Sequence, residues 1–260
     1  MSRAIGLAAL TVLELPAHEQ VSVAAQAGYT HVGLRLIPVA GQTLPPFDVP
    51  EVERRLRDTG IRVLDMEVFR LAPETDVAAF EPALEVAARL GATDLLAHGA
   101  DPDEERLVAN LARLCDLAAR YRVAINLEPM PWVEVSNVAK ARRFLEKAGK
   151  RNAAVLVDAI HFDRACDRVE SLKGAPLRYM QLCDARKERP ADMQEVIRQA
   201  RGDRLFPGEG GLDLKSLMRA LPAELPISLE IPYARSMSAL ERARRALAAT
   251  RELLACVSRS

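Results

Sequence analysis

The chain has 260 residues, 49% apolar and 28% charged, a balance that excludes a disordered or fibrous polypeptide and supplies side chains for a large core. Thirty-six basic and 36 acidic residues cancel, and aromatic residues make up 4%, so neither a phosphate backbone nor stacked single-stranded bases nor an anionic membrane meets a complementary surface. Cys115, Cys166, Cys183 and Cys256 are scattered without a C-x-x-C pair, which argues for reduced, mostly buried thiols and against a zinc ribbon. The first residues run into Glu14 without a clear signal-cleavage context, and no apolar run reaches the roughly 18–20 residues of a membrane span. The expectation is a cytoplasmic protein with a small-molecule substrate and no nucleic-acid or membrane partner, with a homo-oligomer left open.

In chain order, short β-rich runs begin at Ile5 (IGLAAL), His31 (HVGLRL), Ile61 (IRVLDMEV), Thr93 (TDLLAH), Val123 (VAINLE), Ala153 (AAVLVD), Leu177 (LRYMQLCD) and Ile227 (ISLE). Between them lie segments with apolar residues at helical spacing, such as EVERRLRDTG and EERLVANLARLCDLAARY. Alternating strand and helix implies a parallel sheet. Eight units without a linker predict one α/β domain over 1–260, a (β/α)8 TIM barrel. The seventh unit is irregular: Arg186 to Gly211 separates its strand from its helix and contains a short helical pattern, MQEVIRQARG, followed by Pro-Gly and Gly-Gly turns. Such an insertion should sit over the barrel mouth. The segment SALERARRALAATRELLA reads as the last barrel helix, packed on strands one and eight.

A barrel of this kind presents its site at the carboxyl ends of the strands, where this chain places Arg35, Glu67, His98, Glu128, Asp158, Gln181 with Asp184, and Glu230. Strand alternation turns Asn126 and Glu128 inward on the fifth strand, Asp158 on the sixth, Tyr179, Gln181 and Cys183 on the seventh, and Glu230 on the eighth. Three converging carboxylates repel one another unless a cation offsets them. Glu128, Asp158 and Glu230, with the Gln181 amide oxygen, form a hard oxygen set suited to Mg2+ or Mn2+ more than to zinc. His161, one turn after Asp158, is placed for proton exchange. Arg35 and Arg204 are candidate clamps for a substrate oxyanion, and Glu67 a candidate to orient an arginine or a hydroxyl. His98 is a candidate by position, and Trp132 a candidate wall.

Leu127-Glu128-Pro129, Val157-Asp158-Ala-Ile-His161, Met180-Gln181-Leu182-Cys183-Asp184, Pro207-Gly208-Glu209-Gly210 and Leu229-Glu230-Ile231-Pro232 occur in this order along nearly the whole chain. The pattern resembles the xylose-isomerase-like barrels, which include sugar isomerases, keto-sugar 3-epimerases, inosose and dehydroshikimate dehydratases, and endonuclease IV. The resemblance implies a metal held by Glu128, Asp158, the residue at 181 and Glu230, substrate contact by His161, and a further acidic substrate position at Glu134. Most members carry histidine where this chain has Gln181, a substitution associated with the dehydroshikimate dehydratase branch.

The first expectation is a divalent-metal isomerase or epimerase acting on a small hydroxy-carbonyl compound through an enediolate, with Glu128 and Glu230 exchanging protons and His161 assisting. The alternative is a lyase removing water from a β-hydroxy ketone such as dehydroshikimate or an inosose. Gln181 and the arginines favour that alternative. A repair nuclease is disfavoured by four histidines and the neutral charge, and a metal-free binding module by the convergent acids.

Overall fold

The computed structural model describes residues 3–39, 41–233 and 236–258. Eight parallel strands close into a barrel in sequence order: β1 (Ile5–Leu7), β2 (His31–Arg35), β3 (Arg62–Leu71), β4 (Asp94–Gly99), β5 (Ala124–Glu128), β6 (Ala153–Asp158), β7 (Leu177–Leu182) and β8 (Ile227–Leu229). Closure is made by the β1–β8 ladder, which pairs Ile5 with Ile227 and Leu7 with Leu229. The helices are α1 (Ala17–Ala27), α2 (Val49–Thr59), α3 (Glu81–Arg89), α4 (Glu104–Arg120), α5 (Val138–Ala148), α6 (Ala159–Arg164), α7 (Met193–Gly202), α8 (Leu214–Ala220) and α9 (Ala239–Ser258).

Local chemistry sets these boundaries. Asp103 caps α4 by accepting the Arg106 N–H at 3.0 Å, and the helix buries Leu107, Leu111, Leu114, Cys115 and Ala118 along one face. Each fully buried leucine of that face contributes roughly 1.5–3 kcal/mol. Gly60 ends α2 at φ 71°, a left-handed conformation that a side chain would strain. The outer faces of the strands, among them Ile125, Leu127, Val155, Val157, Met180 and Leu182, pack on the helices.

The barrel axis is filled by Leu64, Val68, Leu96, Leu156 and Tyr179. Below them lies a polar layer. Tyr179 donates to Asp65 Oδ2 at 3.1 Å, Asn126 donates to Asp94 Oδ1 at 2.9 Å, and Arg178 Nε donates to the same Asp94 oxygen at 2.5 Å. A Cβ at Gly33 would come within 2.6 Å of Asp65 Oδ1, so this position leaves room for the buried carboxyl.

Several sequence expectations need correction. The first strand stops at Leu7, because Ala8 and Thr11 turn over β8 and both donate to the Leu229 carbonyl, at 3.1 and 2.7 Å. The third strand runs on to Leu71, with a shift in its pairing to β4 between Met66 and Phe69. Cys183 stands past the end of β7 and packs with the outer core, not along the axis. Two of the four thiols, Cys166 and Cys256, are exposed. The last helix rests on α1 and α8; the Tyr29 hydroxyl donates to the Ala243 carbonyl at 2.9 Å. The insertion carries α7 as expected and reaches the barrel mouth. Among the described residues, no helix is long and apolar enough to cross a membrane.

Candidate functional site

The carboxyl ends of the strands surround a cavity of about 370 Å3, of a size for a small metabolite. Strand register brings the site residues side by side: His98 pairs with Glu128, Arg35 with Glu67, and Asp158 with Gln181. Glu128 is the last residue of β5 and Asp158 the last of β6. Asp158 is also the N-cap of α6, its Oδ1 accepting the N–H groups of Ile160 at 2.9 Å and His161 at 3.3 Å. The cap fixes one carboxylate oxygen and throws His161 back over the mouth, so one residue sets the geometry of two.

Arg204 lies at the centre of the acidic cluster. Its Nη1 donates to Asp158 Oδ2 at 2.6 Å, its Nη2 pairs with Glu230 Oε2 at 2.8 Å, and its Nε donates to the Ala200 carbonyl at 2.7 Å. Gln181 Nε2 donates to Glu230 Oε1 at 3.0 Å, while Gln181 Oε1 is buried without a hydrogen-bond partner. Glu128 stands between two histidines, with His98 Nε2 2.6 Å from Oε2 and His161 Nε2 3.6 Å from Oε1. Trp132 packs edge-to-face on His161, with ring centroids 4.9 Å apart. On the other side, Arg35 donates to Glu67 Oε2 from Nε at 2.9 Å and Nη2 at 2.5 Å, and to Gln42 at 3.1 Å.

Electrostatics follow from this packing. Burial, with Asp158 beside it, raises the Glu128 carboxyl well above the usual carboxylate range, against the pull of Arg204. Burial likewise raises Glu230 against Arg204, with Glu67, Asp158 and Glu128 adding to the rise. For Asp158 burial also opposes ionisation, but Arg204, His161 and the backbone N–H of His161 outweigh it and hold the group below its ordinary value. Burial pushes His98 and His161 down to about 3, with Arg35 adding to the effect on His98, so both imidazoles are neutral at pH 7.

These groups fit a divalent cation. Ligand atoms of Glu128, Asp158 and His161 lie within 4.8 Å of one another. The orphaned Gln181 oxygen is a buried acceptor lacking a donor. Glu67, Glu128, Asp158 and Glu230 face two buried guanidiniums, Arg35 and Arg204, so full ionisation leaves two negative charges, which one divalent ion neutralises.

The structure brings Arg35, His98, Glu128, His161, Arg204 and Glu230 to the cavity wall. Asp158 and Gln181 lie behind that wall, joined to it through Arg204 and Glu230, and Glu67 is joined through Arg35. Glu134 is not brought to the cavity. The chain turns after Glu128, Val135 is buried and donates to the Gly99 carbonyl, and Glu134 pairs instead with Lys140 at 3.3 Å. Arg35 and Arg204, the candidate clamps for a substrate oxyanion, are paired with Glu67 and with Asp158 and Glu230. Two arginines that the sequence reading passed over, Arg70 and Arg201, line the rim.

A curated relative, the 3-dehydroshikimate dehydratase of Pseudomonas aeruginosa strain PAO1, is 27% identical over 132 residues, 48% of this chain. The chain spans only 20% of that protein's length. Among solved structures, the IOLI protein with a bound zinc atom superposes with a TM-score of 0.81 at 19% identity over 98% of this chain and 99% of its own. A D-allulose 3-epimerase from Methylomonas sp. does so at 0.74 and 20% over 98% and 99%. At such identities the likeness shows the fold. The description xylose isomerase-like TIM barrel matches residues 21–253, a span that takes in every strand end of the site described above, and the chain belongs to that family.

Proposed function

We propose that this chain is a divalent-metal-dependent lyase that removes water from a small β-hydroxy ketone bearing a carboxylate. The observation that carries the proposal is the division of the cavity's arginines. Arg35 and Arg204 are neutralised by Glu67, Asp158 and Glu230. Arg70 reaches only the exposed Glu74 at 3.5 Å, and Arg201 has no ion-pair partner among the described residues. Arg201, unpaired among the described residues, and Arg70, held by a single solvent-exposed glutamate, present positive charge at the rim of a small cavity that selects an anion. The sequence match to a 3-dehydroshikimate dehydratase and the glutamine at 181 point the same way.

Glu128, Asp158, Gln181 and Glu230 would hold the cation, an oxygen set that favours Mg2+ or Mn2+. When bound, the ion would supply Lewis-acid polarisation of the substrate carbonyl. The protein's own groups do the rest. Arg70 and Arg201 bind the carboxylate and aim the ring into the cavity. His161, braced by Trp132 and with Nε2 3.6 Å from Glu128 Oε1, which would stabilise its protonated form, accepts the proton from the carbon next to the carbonyl. As the new C=C bond forms, the β C–O bond breaks and the same proton is returned to the leaving hydroxyl, which departs as water. Arg204 keeps Asp158 and Glu230 in one arrangement throughout.

The test is ultraviolet absorbance of the conjugated product from 3-dehydroshikimate with Mn2+ or Mg2+ present. No product would reject the lyase reading. An isomerase or epimerase is the second reading, favoured by the placement of Glu128 and Glu230 on non-adjacent strands at the cavity wall. Stereochemical change in a ketose incubated in deuterated water would support it.

Two further outcomes are expected. Arg70→Ala and Arg201→Ala should each raise KM by about 10–100-fold with little change in kcat, as for one lost charge-assisted contact to a remote carboxylate. Equal losses in kcat would place these arginines at the reacting atoms instead. Gln181→His exchanges an amide oxygen for imidazole nitrogen, so Co2+, Ni2+ and Zn2+ should gain on Mg2+ in competition titrations. An unchanged order would show that residue 181 does not touch the metal.

A further inference from the structure

We infer that Asp184 is a positioning residue: it clamps the insertion that carries Arg204, and through Arg204 it fixes how Asp158 and Glu230 are presented. The inference rests on reading those two acids as cation-holding groups.

Asp184 is buried and has no lysine or arginine within ion-pair distance among the described residues. Its charge is met entirely by backbone. Oδ1 accepts the N–H groups of Ala185 at 2.8 Å and Leu212 at 3.1 Å, and Oδ2 accepts those of Gly208 at 2.9 Å and Gly210 at 3.1 Å. Its own main chain is joined to Leu205 in both directions at 2.8 Å, next to Arg204. The carboxylate thus gathers the start of the insertion, its glycine turn and its exit into one knot beside the guanidinium.

The turn is shaped for that purpose. Gly208 has φ +89°, and a Cβ at Gly210 would collide with the Ala185 carbonyl oxygen and the Asp184 carboxylate. The far half of the insertion has its own anchor, because buried Arg164 donates to the Arg186 carbonyl at 2.7 Å and to Gln199 at 3.2 Å. The Arg204 half depends on Asp184. A neutral amide at 184 would turn its NH2 toward two backbone N–H donors whichever way it rotates, losing two acceptor contacts and setting donors against donors.

The experiment compares wild type, Asp184→Asn, Gly210→Ala, Arg204→Met and the Asp184→Asn/Arg204→Met double variant by hydrogen exchange, Mn2+ titration and urea unfolding. Gly210→Ala attacks the same knot from the other side and serves if Asp184→Asn does not fold. The amides of Gly208, Gly210 and Leu212 should lose about 10–100-fold in protection when the knot is broken. Mn2+ affinity in Asp184→Asn should move about three-fold or more in the direction set by Arg204→Met, with the double variant within about two-fold of Arg204→Met alone. Additive effects, or lost protection with unchanged Mn2+ affinity, would overturn the inference and leave Asp184 a local loop anchor. If wild type takes up no Mn2+, the metal reading fails instead, and the clamp is then judged on non-additivity in urea, where additive losses overturn it.

Discussion

Arg204→Met should destabilise the metal-free protein by about 3–5 kcal/mol in urea, and Mn2+ should return a large part of that loss. The guanidinium is buried and supplies the positive charge between Asp158 and Glu230, at 2.6 and 2.8 Å. Its removal leaves two buried carboxylates facing each other with nothing between them, the circumstance in which breaking a buried pair is most damaging. Methionine keeps much of the volume, so the effect reads charge more than cavity. A divalent ion can take over the neutralisation, and a ligand at a hundredfold excess over its Kd adds about 2.7 kcal/mol. A small effect that Mn2+ does not alter would show that Arg204 merely fills space.

The second large effect separates function from stability. Glu128→Gln, Asp158→Asn and Glu230→Gln should each reduce turnover by about a thousand-fold or more, as for removal of a group that acts in the transition state. Their effects on the metal-free fold should differ in sign. Glu128 and Glu230 have folded-state pKa values raised above those of the unfolded chain, by burial and neighbouring carboxylates. The folded protein therefore holds more protons there, and stability falls as pH rises from the unfolded value of about 4.3 through the folded one. Replacing Glu128 by glutamine removes that penalty, so this inactive variant should be more stable than wild type in EDTA at pH 7–8, whereas Glu230→Gln also breaks the buried pair with Arg204 and should gain less or lose. Asp158 is shifted the other way, overall below its ordinary value despite burial. Its contribution is present above about pH 3.9 and lost in acid, so Asp158→Asn should cost stability at neutral pH even though asparagine still caps α6. Denaturation curves from pH 5 to 9 check all three, and parallel shifts in one direction would contradict the assigned electrostatics. The raised glutamate pKa values predict that Mn2+ binding, at any pH where those carboxyls are partly protonated, releases protons and does not take them up, measurable by calorimetry in buffers of different ionisation enthalpy.

How much of this was legible in the sequence depended on how regular the backbone is. Strand β5 alternates without interruption, so counting by twos turns Glu128 toward the cavity; Glu230, one residue past β8, lines the same cavity, while Asp158, at the end of β6, lies behind the wall on Arg204. In β3 the pairing shifts between Met66 and Phe69, and Glu67 and Val68 both serve the axial side. Strict alternation fails there, which is why Arg70 was missed as a rim residue. Arg201 was hidden differently: the pattern MQEVIRQARG announced α7, but a short helix in an insertion does not reveal which face meets the cavity. Sequence distance also concealed the burial of Arg204, because its partners arrive from β6 and β8 and its knot from Asp184. Glu134 illustrates the opposite error, a spacing that matched a family position while the turn at Met130–Val135 aimed the side chain at Lys140.

The most direct test of the central claim is anomalous scattering from crystals soaked in Mn2+. The account predicts one strong peak per chain among Glu128, Asp158, Gln181 and Glu230, with Gln181 Oε1, the buried acceptor left without a donor, turned toward the ion. No peak at the barrel mouth, or a peak to which Gln181 contributes no oxygen, would contradict it.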